Sequence, residues 1–107
     1  MRKILFLIFI FILMFDNIQS QTLRILTYNI RYDNPEDGVN QWSKRKEILG
    51  CQISFFEPDI FGIQEGLHHQ VEYLDTILKE YSYLGIGRDD GKDKGEYSAI
   101  FYKNRCF

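Results

Sequence analysis

The 107-residue sequence predicts an α/β layered fold with about four strands and two helices. Two observations carry this prediction. Short runs rich in β-branched and aromatic residues alternate along the chain with stretches whose apolar residues recur every three to four positions. A helical stretch also lies between the first two strand-like runs, which favours a right-handed crossover and a parallel pair of strands.

The first 20 residues have the layout of a secretory signal peptide. Arg2 and Lys3 precede an unbroken apolar run over residues 4–15, and a short polar segment follows. The run is shorter than the roughly 20 residues that a membrane-spanning helix needs, although an uncleaved membrane anchor remains the alternative. Ser20 is small enough to precede a cleavage site, with Ile18 at the other recognition position. We therefore expect cleavage after Ser20 and a secreted or periplasmic protein.

The first half of the remaining chain, residues 21–107, has the pattern strand, loop, helix, strand. Residues 23–30 alternate in polarity and predict the first strand, and residues 31–41 are dense in Asp, Asn, Pro and Gly and predict a loop. A period of 3.6 then predicts a helix that ends before Pro58, and residues 59–64 predict the second strand. The predicted apolar face of this helix consists of Trp42, Leu49, Ile53 and Phe56.

The second half has the pattern helix, strand, loop, strand. Residues 68–81 predict an amphipathic helix, residues 81–87 a third strand, residues 88–96 a charged loop and residues 97–103 a fourth strand. No covering element follows the fourth strand, so we expect residues 21–107 to be the front part of a longer domain. The predicted apolar face of this helix consists of Val71, Leu74, Leu78 and Tyr81.

Charge and cysteine content give no support for nucleic-acid binding or for a structural zinc site. The chain has 13 basic and 15 acidic residues and a net charge of −2, so its bulk charge does not favour nucleic-acid binding, although a bound metal can supply positive charge locally. Cys51 and Cys106 allow a single disulfide pairing, which we do not expect to form. Without a Cys-x-x-Cys pair or a Cys/His cluster, a structural zinc site is not expected.

Polar side chains end the first two predicted strands. Asn29 lies at the end of the first strand, and Gln64 and Glu65 end the second. Because parallel strands joined by one helix are usually neighbours, we expect Asn29 and Glu65 at one carboxyl edge of the sheet, where open α/β sheets bind ligands. Amide and carboxylate oxygens suit Mg²⁺ or Ca²⁺. The residues alone leave an alternative open, in which Glu65 only favours the start of the next helix.

Four segments in order resemble the endonuclease/exonuclease/phosphatase superfamily. They are "LRILTYNIRYD", "WSKRKEIL", "PDIFGIQE" and "GEYSAIFYK", which are spread over residues 23–103. The resemblance implies a DNase-I-like two-sheet α/β sandwich, of which this chain holds the N-terminal part. It also implies a metal-dependent phosphoesterase that acts on phosphodiesters or phosphomonoesters.

The resemblance also implies roles for three residues. Asn29 would help to hold the metal and the scissile phosphate, and Glu65 would bind the metal directly. Glu96, just before the fourth strand, would orient a catalytic histidine. The implied cofactor is Mg²⁺, with Mn²⁺ or Ca²⁺ as alternatives. The implied substrates are phosphate esters in nucleic acid, inositol phosphates or phospholipid head groups, and we expect a monomer without a stable protein partner.

The sequence departs from the family pattern in two respects. Some family nucleases carry an acid two residues after the first-strand asparagine, whereas this chain has Arg31, as either a phosphate contact or an exposed loop charge. The later Gly-Asp-x-Asn, His and Ser-Asp-His segments are also absent, so we expect the 107 residues to be inactive alone. The alternatives to an enzyme are a non-catalytic binding module and a truncated product without a stable fold.

His68 and His69 point apart on a helix and are interpreted as polar residues at its start.

Overall fold

A computed structural model describes the backbone of residues 1–13 and 20–106 and the side chains of residues 1–9 and 20–106. Helix α1 (Arg2–Leu13) covers much of the predicted apolar run, and the side chains of residues 1–9 are exposed. None of the described helices combines the length and apolar character needed to cross a membrane. Residues 14–19, which hold most of the predicted cleavage region including Ile18, lie outside the described residues.

The rest of the described chain forms a mixed four-stranded sheet with helices on one face. The sheet order is β1-β2-β4-β3, in which β1 and β2 are parallel and the other two pairs are antiparallel. The prediction that β1 and β2 are parallel neighbours joined by a helix is confirmed. The strands are β1 (Ile25–Asn29), β2 (Ile60–Gly66), β3 (Tyr81–Gly87) and β4 (Tyr97–Lys103), and the further helices are α2 (Trp42–Phe56) and α3 (His68–Ile77).

The core lies between the sheet and the two helices that cover it. Phe61 of β2 and Phe101 of β4 are both fully buried and stack with their ring centroids 4.7 Å apart. Tyr81 meets Phe61 edge to face at 5.4 Å and donates a hydrogen bond of 2.7 Å to the carbonyl oxygen of Pro58. The helices complete this core with Trp42, Leu49, Ile53, Val71, Leu74 and Leu78.

Two predicted core positions and one predicted loop differ from the structure. Phe56 is 57% exposed because it ends α2 beside β1, the edge strand of the described sheet. Tyr81 is buried but begins β3, since α3 ends at Ile77 and a turn follows. Within the predicted loop, Pro35–Asn40 form a 3-10 helix, whose first turn is capped by the side chain of Asn34.

The other face of the sheet carries exposed apolar side chains. Along β1, β3 and β4 they alternate with buried or half-buried residues, as the two-residue period of a pleated strand requires. Asn29 and Thr27 of β1 share this face. The site described below therefore lies at an edge where the open face meets the ends of β1 and β2. The exposed apolar residues are Ile25, Leu84, Ile86 and Ile100.

Replacing Phe61 by alanine is expected to lower the free energy of unfolding by about 3–5 kcal/mol, because it removes a fully buried ring and leaves a cavity. Urea denaturation followed by far-UV circular dichroism measures this change. The control is Phe55→Ala, which removes the same ring from a position that is 81% exposed and should cost less than about 0.5 kcal/mol. Equal losses in the two variants would contradict the core assignment.

Candidate metal centre

The predicted pair of polar side chains meets at the carboxyl edge of β1 and β2. Asn29 Nδ2 donates a hydrogen bond of 2.8 Å to Glu65 Oε1. Asn29 lies beside Gln64 in the parallel register, and the backbone N–H of Ile30 continues the ladder to the carbonyl oxygen of Gln64 at 3.0 Å. The spatial prediction that Asn29 and Glu65 finish side by side is confirmed.

A β-bulge in β2 turns Glu65 towards Asn29. Ile63 pairs with Ala99 and Gly66 pairs with Tyr97, so β2 has one residue more than β4 between these pairs. Glu65 takes up the extra length in a left-handed backbone conformation with φ 61°. Such a bulge releases a side chain from the strict alternation of the strand and aims it anew. Glu65 is consequently half-buried rather than packed in the apolar core.

The turn after β1 has a matching distortion at Arg31. Its φ is 55°, and its backbone N–H donates to Asn29 Oδ1 at 2.9 Å. Left-handed conformations at residues other than glycine cost roughly 1–3 kcal/mol and persist where the surroundings enforce them. The side chain of Arg31 forks onto the carboxylate of Asp37 at 2.8 and 2.7 Å. The side chain of Arg31 is 56% exposed, as foreseen for a loop charge, and it is paired with Asp37 within the same loop.

The buried side chain of Gln70 joins the two turns. Its Oε1 accepts hydrogen bonds of 3.0 Å from the backbone N–H groups of Leu67 and Asp33. Its Nε2 donates at 3.0 Å to the carbonyl oxygen of Arg31. Leu67 follows Glu65 by two residues, so one amide contacts the segments after both predicted site residues.

Arg45 of α2 holds the first turn from the other side. Its guanidinium donates to the carbonyl oxygen of Ile30 and, at 2.6 Å, to that of Arg31. The same group lies over the ring of Trp42, with its central carbon 5.3 Å from the ring centroid. The carbonyl oxygen of Arg31 thus accepts hydrogen bonds from the side chains of Gln70 and Arg45. The backbone carbonyls of Ile30 and Arg31, which follow Asn29, are therefore both hydrogen-bonded.

Glu96 lies at the same edge, one residue before the pairing of Tyr97 with Gly66. Arg88 Nη1 donates to Glu96 Oε2 at 3.1 Å, and the backbone N–H of Arg88 donates to the carbonyl oxygen of Glu96 at 3.0 Å. The structure therefore places Glu96 near the site edge and shows it engaged with Arg88. No contact between Glu96 and Glu65 is found among the described residues.

The two adjacent histidines have separate partners. His68 Nδ1 lies 2.7 Å from the hydroxyl of Tyr97, and His69 Nε2 lies 2.9 Å from Asp33 Oδ2. Burial raises the pKa of Tyr97, so its hydroxyl stays neutral and serves as a hydrogen-bonding group. The interpretation of both histidines as polar residues at the start of a helix is confirmed, since α3 begins at His68.

The donor set fits a hard cation that keeps few protein ligands. Asn29 uses its amide nitrogen to fix one oxygen of Glu65, which leaves the second carboxylate oxygen, Oε2, for another partner. Mg²⁺ is commonly bound by one or two carboxylates together with waters and substrate phosphate. Among the described residues, no cluster of three or more His, Cys, Asp or Glu side chains suits a metal ion. The thiols of Cys51 and Cys106 are free and exposed.

The sequence predicted Asn29, Glu65 and Glu96 as site residues but did not single out Gln70 and Arg45, which hold the turns beside Asn29 and Glu65. A signal existed for Gln70, because glutamine at the third position of a helix is the usual partner in a capping box. The expected Ser or Thr is absent at the cap, where Leu67 stands, so the pattern was incomplete. Arg45 lay inside an ordinary charged helical surface, and nothing in its spacing marked it.

Arg45→Met should lower the free energy of unfolding by about 1–3 kcal/mol, because it leaves backbone carbonyls of the first turn without their donor. Thermal and urea denaturation measure the loss. Lys79→Met serves as the control, since Lys79 is exposed. A loss in Arg45→Met no greater than in the control would contradict the role given to this arginine.

Comparisons with solved structures support the fold. An endonuclease/exonuclease/phosphatase from Bacteroides vulgatus matches with 46% identity and a TM-score of 0.78, over 80% of this chain and 33% of its own. A mannosyl-6-phosphatase from Bacteroides thetaiotaomicron matches with 41% identity and a TM-score of 0.75, over 78% of this chain and 32% of its own.

A sequence relative is more distant. The carbon catabolite repressor protein 4 homolog 5 of Arabidopsis thaliana is 25% identical over an alignment of 104 positions, and the match covers 87% of this chain and 22% of the relative. A comparison with profiles of known protein families finds no match. In fold and in sequence, this chain is thus a relative of the endonuclease/exonuclease/phosphatase superfamily with a DNase-I-like α/β fold, and it spans about a third of the length of the solved structures it matches.

Proposed function

We propose that the protein is an exported, Mg²⁺-dependent phosphoesterase. The observation that carries the proposal is the carboxylate of Glu65, fixed by Asn29 at the ends of two neighbouring parallel strands. This is the edge at which open α/β sheets bind ligands. The likeness to solved endonuclease/exonuclease/phosphatase proteins supports a phosphoesterase-like hydrolase.

Each proposed site residue has a distinct task. Glu65 would hold the cation through the carboxylate oxygen that Asn29 leaves unused. Asn29 would keep the carboxylate in place and orient the substrate phosphate, and Glu96 would orient a histidine that activates water. Bound Mg²⁺ supplies charge stabilisation at the phosphate and at the leaving oxygen. Mn²⁺ or Ca²⁺ would fit the same oxygen ligands.

We propose a phosphomonoester on a small polar molecule as the first substrate to test. The support is the likeness to the mannosyl-6-phosphatase, to which this chain is 41% identical. Phosphodiesters, inositol phosphates and phospholipid head groups remain the alternatives, because one scaffold can host many substrates. The net charge of −2 gives no bulk attraction for nucleic acid.

We also propose that export uses the N-terminal segment. Arg2 and Lys3 begin helix α1 and the rest of the helix is apolar, which agrees with the charged and apolar regions of a signal peptide. The mature protein is proposed to act as a monomer. N-terminal sequencing of the secreted or periplasmic protein tests the cleavage after Ser20, and an N-terminus at Met1 would contradict it.

Glu65→Gln in the full-length protein should lower kcat/KM by about 100-fold or more, because it removes the charge that holds the cation while keeping the shape of the side chain. Hydrolysis of p-nitrophenyl phosphate and of bis(p-nitrophenyl) phosphate with Mg²⁺ measures the loss. Chelation with EDTA should abolish the activity of the wild-type protein, and added Mg²⁺ should restore it.

Glu47→Gln is the matched control, since Glu47 is exposed on α2 and takes no part in the proposed site. Its activity should equal that of the wild type. Full activity in Glu65→Gln would remove Glu65 from the site. Cation binding by the wild type without hydrolysis of any phosphate ester would instead favour a non-catalytic binding module.

A further inference from the structure

Gln70 is a polar side chain with no exposure to solvent, at the point where the two site turns approach each other. It is 0% exposed, although glutamine is usually found at the surface. A buried amide is tolerated when its hydrogen bonds are made, and three bonds of 3.0 Å are present here. This feature calls for an explanation beyond packing, since an apolar side chain could fill the same volume.

The partners of Gln70 define which way its amide points. Two backbone N–H groups, from Asp33 and Leu67, require an oxygen, and the carbonyl of Arg31 requires an N–H donor. A reversed amide would place its NH₂ group against the two backbone N–H donors and its oxygen against the carbonyl oxygen of Arg31. The side chain therefore binds both turns in a single orientation.

These two turns directly follow the strand ends at which the proposed site residues lie. Arg31, whose carbonyl Gln70 holds, is left-handed and donates its own N–H to Asn29 Oδ1. Leu67, whose N–H Gln70 also holds, lies two residues after the left-handed Glu65. A shift of either turn would change the separation between Asn29 Nδ2 and Glu65 Oε1, which is now 2.8 Å.

We propose that Gln70 is a positioning residue whose buried amide holds the Asn29 and Glu65 turns at a fixed separation, and thereby sets the affinity of the site for a divalent cation. The inference rests on the proposed function, which gives Glu65 the cation. Residues that orient metal ligands typically change metal affinity 10- to 100-fold when they are replaced.

Gln70→Leu tests the inference, because leucine fills a similar volume in the core but makes none of the three hydrogen bonds. The control is Leu74→Ala, one turn further along α3, which disturbs the same helix in the core without touching either turn. Both variants of the full-length protein are compared at a temperature at which circular dichroism shows them folded. Calorimetric titration with Mn²⁺ gives the affinity, and the ¹H–¹⁵N resonances of the Asn29 side-chain amide report its bond to Glu65 without metal.

We expect Gln70→Leu to weaken Mn²⁺ binding about 10- to 100-fold and to shift the Asn29 amide resonances. Leu74→Ala should keep the affinity within about twofold and leave these resonances unshifted, since both turns remain braced. Gln70→Glu should fall between wild type and Gln70→Leu, because an ionised carboxylate still accepts from Asp33 and Leu67 but has no donor for Arg31.

Wild-type affinity in Gln70→Leu, or an equal loss in both variants, would overturn the inference. Absence of Mn²⁺ binding by the wild type would overturn the proposed function instead. In that case the resonances of the Asn29 side-chain amide show whether Gln70 holds Asn29 and Glu65 in place. Resonances unchanged in Gln70→Leu overturn the ordering role, and a shift confined to that variant supports it.

Discussion

The site depends on one constraint, which is that a left-handed residue lies at the carboxyl end of each of two neighbouring strands. Arg31 and Glu65 have φ values of 55° and 61°, and neither is glycine. Side chains with a Cβ atom avoid this region unless surrounding contacts enforce it. The contacts that enforce it at Arg31 are side-chain bonds to its backbone from Asn29, Gln70 and Arg45.

The same contacts explain how polar backbone can lie beside an apolar core. Ile30 is buried, and its carbonyl is bound by the Arg45 guanidinium. Gln70 is buried among Val71 and Leu74 of the same helix and satisfies two N–H groups. Unpaired groups at these positions would each cost free energy of the order of a hydrogen bond. The stability of the core and the geometry of the site are therefore coupled through a few side chains.

Much of the fold follows from local patterns. Alternation marked β1, short runs rich in apolar and β-preferring residues marked β2 to β4, and the 3.6 period marked α2 and α3. The predictions failed where long-range position decides exposure. Phe56 has the correct spacing from Ile53 but lies past the edge of the described sheet, and Tyr81 is buried from a strand rather than from a helix.

The sequence by itself determined which residues reach the carboxyl edge, because a parallel β-α-β unit brings consecutive strand ends together. The sequence therefore predicts Asn29 beside Glu65. Only the tertiary structure decided how these side chains face each other. The bulge depends on the register of β2 against β4, and the buried bonds of Gln70 depend on α3 packing against the β1 turn. Both are contacts between distant segments, which local patterns do not encode.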